Sequence, residues 1–219
     1  MIELDIARAR AVVAWKSLKA TRLGMRGYLC VLGYLAAGPA TSFDIATDFG
    51  LTAQQYVREL VNRMGELGMA HTVGKVRTGR AGPLTPLWLA GPGPVERTTT
   101  TPCRERFPEL MHLRRILAAL EDPCGVKVLA RDVGSNYAQV QALLAIAYAL
   151  RMAHIVAWDL PTNPQGGGVP VAQWALGAGR HAPRPQRVGN LAVKRAWYAR
   201  NAARRRADAL QGALCGVAA

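Results

Sequence analysis

Side chains able to read a planar hydrogen-bonding surface cluster between residues 52 and 63, where Gln54, Gln55, Arg58, Asn62 and Arg63 are interleaved with apolar positions. A Gln or Asn carboxamide gives and accepts hydrogen bonds in one plane and so matches an adenine edge. A guanidinium fork matches guanine in the same way, each pair discriminating by ~1–3 kcal/mol. The interleaved Tyr56, Val57, Leu60, Met64 and Leu67 recur three or four apart, so a helix would bury them and turn the polar set outward. Thr52 stands where a residue capping that helix would, and its hydroxyl with the first amides makes an end suited to a phosphate. Lys75, Arg77 and Arg80 follow around a glycine-containing stretch, Arg77-Thr-Gly-Arg-Ala-Gly-Pro83. Cations there would neutralise phosphates, and Gly79 and Gly82 would let the backbone come close. A Gln–Arg helix face is otherwise only a solvated surface, so its meaning depends on the elements that present it.

Other chemistries lack the residues they need. Cys30, Cys103, Cys124 and Cys215 are scattered, with no Cys-x-x-Cys pair and no His at ligand spacing, so no metal is expected and the thiols read as reduced and cytosolic. No paired carboxylates, Ser-His-Asp set or Cys-His arrangement stands out, so the reading is of a non-enzyme with no catalytic residues and no cofactor. Gly166-Gly-Gly168 lacks the following Lys-Ser/Thr of a phosphate loop. His71 and His154 are expected to make structural hydrogen bonds at strand starts, and the Met and Trp residues to fill the core.

Charge is placed rather than smeared. The 219 residues carry 28 Lys and Arg against 14 Asp and Glu, a net charge of +14, which self-repels unless a polyanion neutralises it. Residues 1–100 hold 12 basic and 7 acidic side chains, 101–179 hold 7 and 6, and 180–219 hold 9 and 1. Half the chain is hydrophobic (50%) and 19% is charged, so a sizeable core is available and wholesale disorder is excluded. No run reaches the ~18 apolar residues of a membrane helix, since Arg151 and His154 break the stretch from Val140 to Trp158. Glu3 and Asp5 precede any apolar run, unlike a secretory signal. A bacterial cytoplasm or nucleoid location, with no membrane partner, is expected.

The chain also repeats itself. Leu67-Gly-Met-Ala-His-Thr-Val73 returns as Leu150-Arg-Met-Ala-His-Ile-Val156, Ala46-Thr-Asp-Phe-Gly50 as Ala130-Arg-Asp-Val-Gly134, and Trp88-Leu-Ala-Gly91 as Trp174-Ala-Leu-Gly177. Ordered blocks whose offsets drift by one to three residues are what a duplicated domain with loop insertions produces. The expected organisation is an N-terminal helix (1–23), a first domain (24–93), a linker (94–107), a second domain (108–179) and a basic, partly helical tail (180–219).

Each repeat reads as three helices and a hairpin. In the first, an apolar helix from Tyr28 to Leu35 ends at Gly38-Pro39, and Thr41 or Ser42 caps a short helix closed by Gly50. The polar-faced third helix follows, then strands near Ala70–Val76 and Leu84–Leu89. The second repeat follows with helices at Leu110–Leu120, Val126–Arg131 and Tyr137–Leu150 and strands near Ala153–Trp158 and Val169–Leu176. Its third helix is apolar most of the way round, and its hairpin tip Gln165-Gly-Gly-Gly168 is uncharged. It is therefore expected to pack on the first repeat, on the N-terminal helix or on a second subunit, with base reading the lesser role. The N-terminal helix, Asp5 to Lys19, should turn Ile6, Val12, Val13, Trp15 and Leu18 inward and Arg8, Arg10, Lys16 and Lys19 outward, bracing the first repeat or forming a dimer contact. In the tail, Asn190 to Leu210 is helix-compatible. Its Lys194, Arg195, Arg200, Arg204, Arg205 and Arg206 form a cationic arm that grips phosphates or merely solubilises the chain.

A helix, Asp48-Phe-Gly50 turn and polar helix followed by a Gly-rich basic hairpin resemble the winged helix-turn-helix superfamily, in two copies. Trp174-Ala-Leu-Gly-Ala-Gly-Arg-His-Ala-Pro-Arg-Pro185 with Lys194-Arg-Ala-Trp-Tyr-Ala-Arg200 resembles the end of small winged-helix proteins of phages and prophages. The resemblance implies a mostly α chain with small β-hairpin wings (α+β), and a sequence-specific double-stranded DNA-binding transcriptional regulator of phage type. The third helix of the first domain would enter the major groove, with wing and tail on phosphates. A homodimer through domain 2 or the N-terminal helix is compatible with it. The alternatives are a plasmid or phage replication initiator with tandem winged helices, and a winged-helix scaffold that binds proteins.

Overall fold

Gly38 and Pro39 break the first strongly apolar stretch of the chain, and the helix before them, α2 (Met25–Ala36), is the centre of the fold. Every residue from Gly27 to Leu35 is buried, so this stretch of α2 has no solvent face and must be covered on all sides, with Arg26 and Ala36 at its ends exposed. It is covered by α1 (Ile2–Ser17) and by β2 (Leu84–Ala90) of its own half, and by α5 (Pro108–Ala119) and α7 (Tyr137–Ala149) of the other. The two repeats thus share one hydrophobic core. A fully buried Leu or Val in it, such as Leu29 or Val31, adds about 1.5–3 kcal/mol. The computed structural model describes residues 2–19, 23–77, 84–95, 107–160, 169–185, 195 and 198–202. The chain divides into two compact units, Met1–Ala182 and Pro183–Ala219.

The architecture is α+β, helices with two small antiparallel sheets. The first half runs α1, α2, α3 (Ser42–Phe49), α4 (Gln54–Glu66), β1 (Ala70–Arg77), β2. The second runs α5, β3 (Cys124–Gly125), α6 (Val126–Asp132), α7, β4 (Ala153–Asp159), β5 (Val171–Leu176), its sheet ordered β3-β5-β4. The very short β3 was not expected from the sequence. Its counterpart in the first half is a single bridge, in which Ala40 and Trp88 exchange backbone hydrogen bonds of 2.9 and 2.8 Å. Each hairpin carries a bulge at the same place, at Val73 between the Thr72–Trp88 and Gly74–Leu87 pairs and at Val156 between Ile155–Trp174 and Ala157–Gln173.

Thr41, rather than Ser42, caps α3, and does so reciprocally: Asp44 N donates to its Oγ1 at 3.1 Å while its own amide donates to Asp44 Oδ2 at 2.9 Å. Gly50 ends α3 in the left-handed region at φ 68°, as Gly134 ends the matching turn at φ 65°. His71 Nδ1 lies 3.0 Å from Gly91 O and His154 Nδ1 lies 3.0 Å from Gly177 O, the structural bonds expected of this pair. The chain then passes tight against each ring: a Cβ on Gly93 would lie 2.5 Å from His71, and one on Gly179 would lie 2.4 Å from His154.

Three expectations need correction. In α1 the buried stripe is Ala11 and Trp15, with Val12 and Leu18 beside it, while Ile6 and Val13 are exposed and Arg8 turns inward over the Tyr34 ring at 5.0 Å. Small Ala11 lets α1 approach α2 closely, which rotates the stripe away from the larger residues. Thr52 does not cap α4; Ala53 is its N-cap, without a side-chain bond, because the helix starts one residue later than the pattern implied. Finally, α7 packs against α2, α1, α6 and β4 yet leaves Tyr137, Ala138, Ala145, Tyr148 and Ala149 exposed. Its apolar residues are therefore not all enclosed by this chain. Among the described residues no helix is long and apolar enough to cross a membrane.

Candidate nucleic-acid interface

Trp15 and Tyr34 fix the turn between α3 and α4 from behind, and Arg8 braces the loop before α3. Trp15 Nε1 donates to Phe49 O at 2.9 Å in a buried bond, and the two rings stack with centroids 6.0 Å apart. Tyr34 OH donates to Asp48 Oδ2, and burial first and this bond second push the phenol's pKa well above its ordinary range. Arg8, lying over that same Tyr34 ring, donates to Pro39 O at the end of the α2–α3 loop. Leu51 N then closes the turn onto Ala46 O at 2.8 Å. At the other end, Tyr56 OH donates to Leu23 O at 3.1 Å and lies 3.3 Å from Tyr28 OH, both rings meeting Phe107. Burial and the Tyr56 hydroxyl raise the Tyr28 pKa as well, so neither phenol is an acid–base group near neutrality.

Held this way, α4 buries Val57, Leu60, Val61 and Met64 and presents the opposite side. Gln54 and Gln55 are exposed, as is Thr52 before them, and Arg58, Asn62 and Arg63 are half-buried. The outward residues form two groups. Near the N-terminus Arg58 donates to Gln55 Oε1 at 2.7 Å and Gln55 donates to Glu59 Oε1 at 3.1 Å, a row ordered before any ligand arrives. The Arg58 Nε is buried and has no hydrogen-bond partner among the described residues. Further along, Arg63 pairs with Glu66 at 2.6 Å, which cancels its charge locally. These carboxylates, three or four residues from their partners, were readable from helical spacing but were not part of the expected site.

Lys75 and Arg77 are exposed on β1, the strand that follows α4. Arg80 lies outside the described residues, as do Gly79 and Gly82. In the second unit Arg195 and Arg200 are exposed, with helical backbone at 195 and 198–202; Lys194, Arg204, Arg205 and Arg206 lie outside the described residues. The structure therefore brings Gln54, Gln55, Arg58, Asn62 and Arg63 onto one helix. Trp15 and Arg8 act behind them, and nothing in the sequence pattern distinguishes these two from other residues of α1.

Among the described residues no three His, Cys, Asp or Glu side chains meet as a metal site, and both described cysteines are free. Burial pushes the Cys30 thiol up to about 12, which makes it an inert core group. Comparison of this chain with protein-family models, curated proteins and solved structures finds no match.

Proposed function

We propose that the chain is a sequence-specific double-stranded DNA-binding protein of the phage-regulator kind, built from two tandem winged helix-turn-helix modules. In this reading α4 lies in the major groove, where Gln54, Gln55 and Arg58 meet base edges. Thr52 and the uncapped first amides of α4 take a phosphate, Lys75 and Arg77 with Arg80 take others, and the basic tail from Arg180 adds sequence-independent affinity. The order helix, short strand or bridge, helix, helix, hairpin supports the module assignment in both halves. The observation that carries the function is the outward face of α4: it is polar and hydrogen-bonded in advance, whereas the matching face of α7 carries one glutamine, Gln141, among alanine, tyrosine and isoleucine. Domain 2 then serves mainly to hold the first module, through α7 against α2.

Selection of bound fragments from random duplex DNA with competitor present tests this reading, and a recovered consensus is the expected result. Gln55→Ala and Arg58→Ala should flatten that consensus. Arg204→Ala with Arg205→Ala should weaken all duplexes alike and reduce the salt slope by about 2. Recovery of no consensus, or identical behaviour of the two kinds of variant on cognate and random duplexes, would reject the assignment.

A further inference from the structure

A cavity of about 490 Å³ opens where α1, the C-terminal end of α2 and the end of α7 meet. Its lining is mixed: Ile6, Ala36, Leu150 and Met152 supply an apolar side, and Arg10 and Arg151 are the charged residues on it among the described residues. The floor is closed because α2 lies against Leu150, so near that a Cβ on Gly33 would sit 2.9 Å from it. Neither guanidinium has a hydrogen-bond or ion-pair partner among the described residues.

The backbone at Arg151 is an independent sign. Arg151 adopts φ 58°, a left-handed conformation unfavourable for a side chain, whereas the first module has Gly68 at the matching position with φ 70°. A turn that glycine fills without strain thus carries an arginine in the second module, at the rim of this cavity. Strain of this kind, where a free alternative exists, marks a position with a task beyond folding.

We propose that this cavity binds a small carboxylate with an apolar body, its head between Arg10 and Arg151 and its body against Ile6, Leu150 and Met152. A cavity of this size suits a ligand of modest length. The apolar floor disfavours a bare phosphate, and two unpaired guanidinium groups disfavour a cation. The competing role for the arginines is to offset the carbonyl ends of α2 and α7, which requires no ligand. Ligand binding here is independent of any contact with nucleic acid.

Calorimetric titration of the full chain with octanoate, octylammonium and inorganic phosphate separates these roles. Octanoate should saturate one site, and Arg151→Gly and Arg10→Gln should each weaken it about tenfold or more. Arg151→Gly relieves the backbone strain, so its loss of binding cannot be ascribed to unfolding, and its circular dichroism should match the parent. Absence of saturable octanoate binding, equal affinity in Arg151→Gly, or phosphate or octylammonium binding as tightly as octanoate would each overturn the proposal.

Discussion

The two halves of the molecule solve the same packing problem and present different surfaces. Helix α4 buries Val57, Leu60, Val61 and Met64, and α7 buries Val140, Leu143, Leu144 and Ala147, the same four positions at an offset of 83. The glycine turns agree as well, Gly91 and Gly177 having φ of 108° and 111°. On the outside, Gln54, Gln55, Arg58, Asn62 and Arg63 face Tyr137, Ala138, Gln141, Ala145 and Ile146 in the alignment of the two helices. Burial and turn geometry therefore specify the module, and they leave the outward positions free to differ. The polar row on α4 and the single glutamine at the matching positions of α7 therefore differ without changing how either copy folds.

The comparison can be broken most directly at the tryptophans. Trp88 and Trp174 occupy the same place in the two hairpins, pairing with Ala40 and Cys124. Trp88 is wholly buried, whereas Trp174, on the central strand of its sheet, is 9% exposed, with the His181 ring edge-on at 5.2 Å. Trp88→Ala should cost about 4 kcal/mol and Trp174→Ala about 3 kcal/mol, through the cavity each leaves. Urea unfolding followed by circular dichroism reads both. A larger loss at Trp174 would mean that the second half, rather than the α2 region, carries the stability of the shared core.

A finer test exchanges the residues at a turn where the halves disagree, Gly68 in one and Arg151 in the other. Arg151→Gly should stabilise by about 1 kcal/mol, because relief of left-handed strain exceeds the added freedom of the unfolded chain. Gly68→Ala should destabilise by a similar amount, having open space around its Cβ but the wrong φ. Thermal unfolding of both variants checks the opposite signs; equal signs would show that the two turns are not equivalent.

How much of this was legible depends on whether a feature is carried by residue type or by approach distance. The module order and most helix limits were readable, because Gly38-Pro39, Thr41, Gly50 and the 3–4 spacing in α4 act locally. The inward turn of Arg8 was not, since an arginine on a helix reads as solvent-facing until a tyrosine from another helix lies beneath it. Thr52 misled for a related reason: a hydroxyl before a periodic run looks like a cap, yet the capping geometry requires the helix to begin at the next residue. Short β3 gave no periodicity at all. In the candidate site the outward set was readable from spacing, whereas the contacts bracing it from α1 depend on long-range packing.

The smallest effect expected concerns a histidine found in one half only. His181 stacks on Tyr148 with ring centroids 3.6 Å apart, meets Trp174 edge-on, and accepts a 2.9 Å hydrogen bond at Nδ1 from the Ile155 amide. An Nδ1 that accepts cannot carry a proton, so the ring is neutral with its proton on Nε2. Burial first, and the neighbouring His154 second, hold its pKa below the ordinary value of about 6.5. The unfolded chain therefore binds this proton more readily than the folded one. The contribution is complete above pH ~6.5 and is lost as the pH falls through the folded value. Ala182 N to Ile155 O at 2.7 Å and Trp158 Nε1 to Ala182 O at 2.9 Å should loosen together with it, since they hold the same segment against β4. Denaturation at pH 7.5 and 5 should show a loss of stability on acidification, and His181→Phe should reduce that loss. An equal loss in His181→Phe would show that the acid sensitivity does not arise at His181.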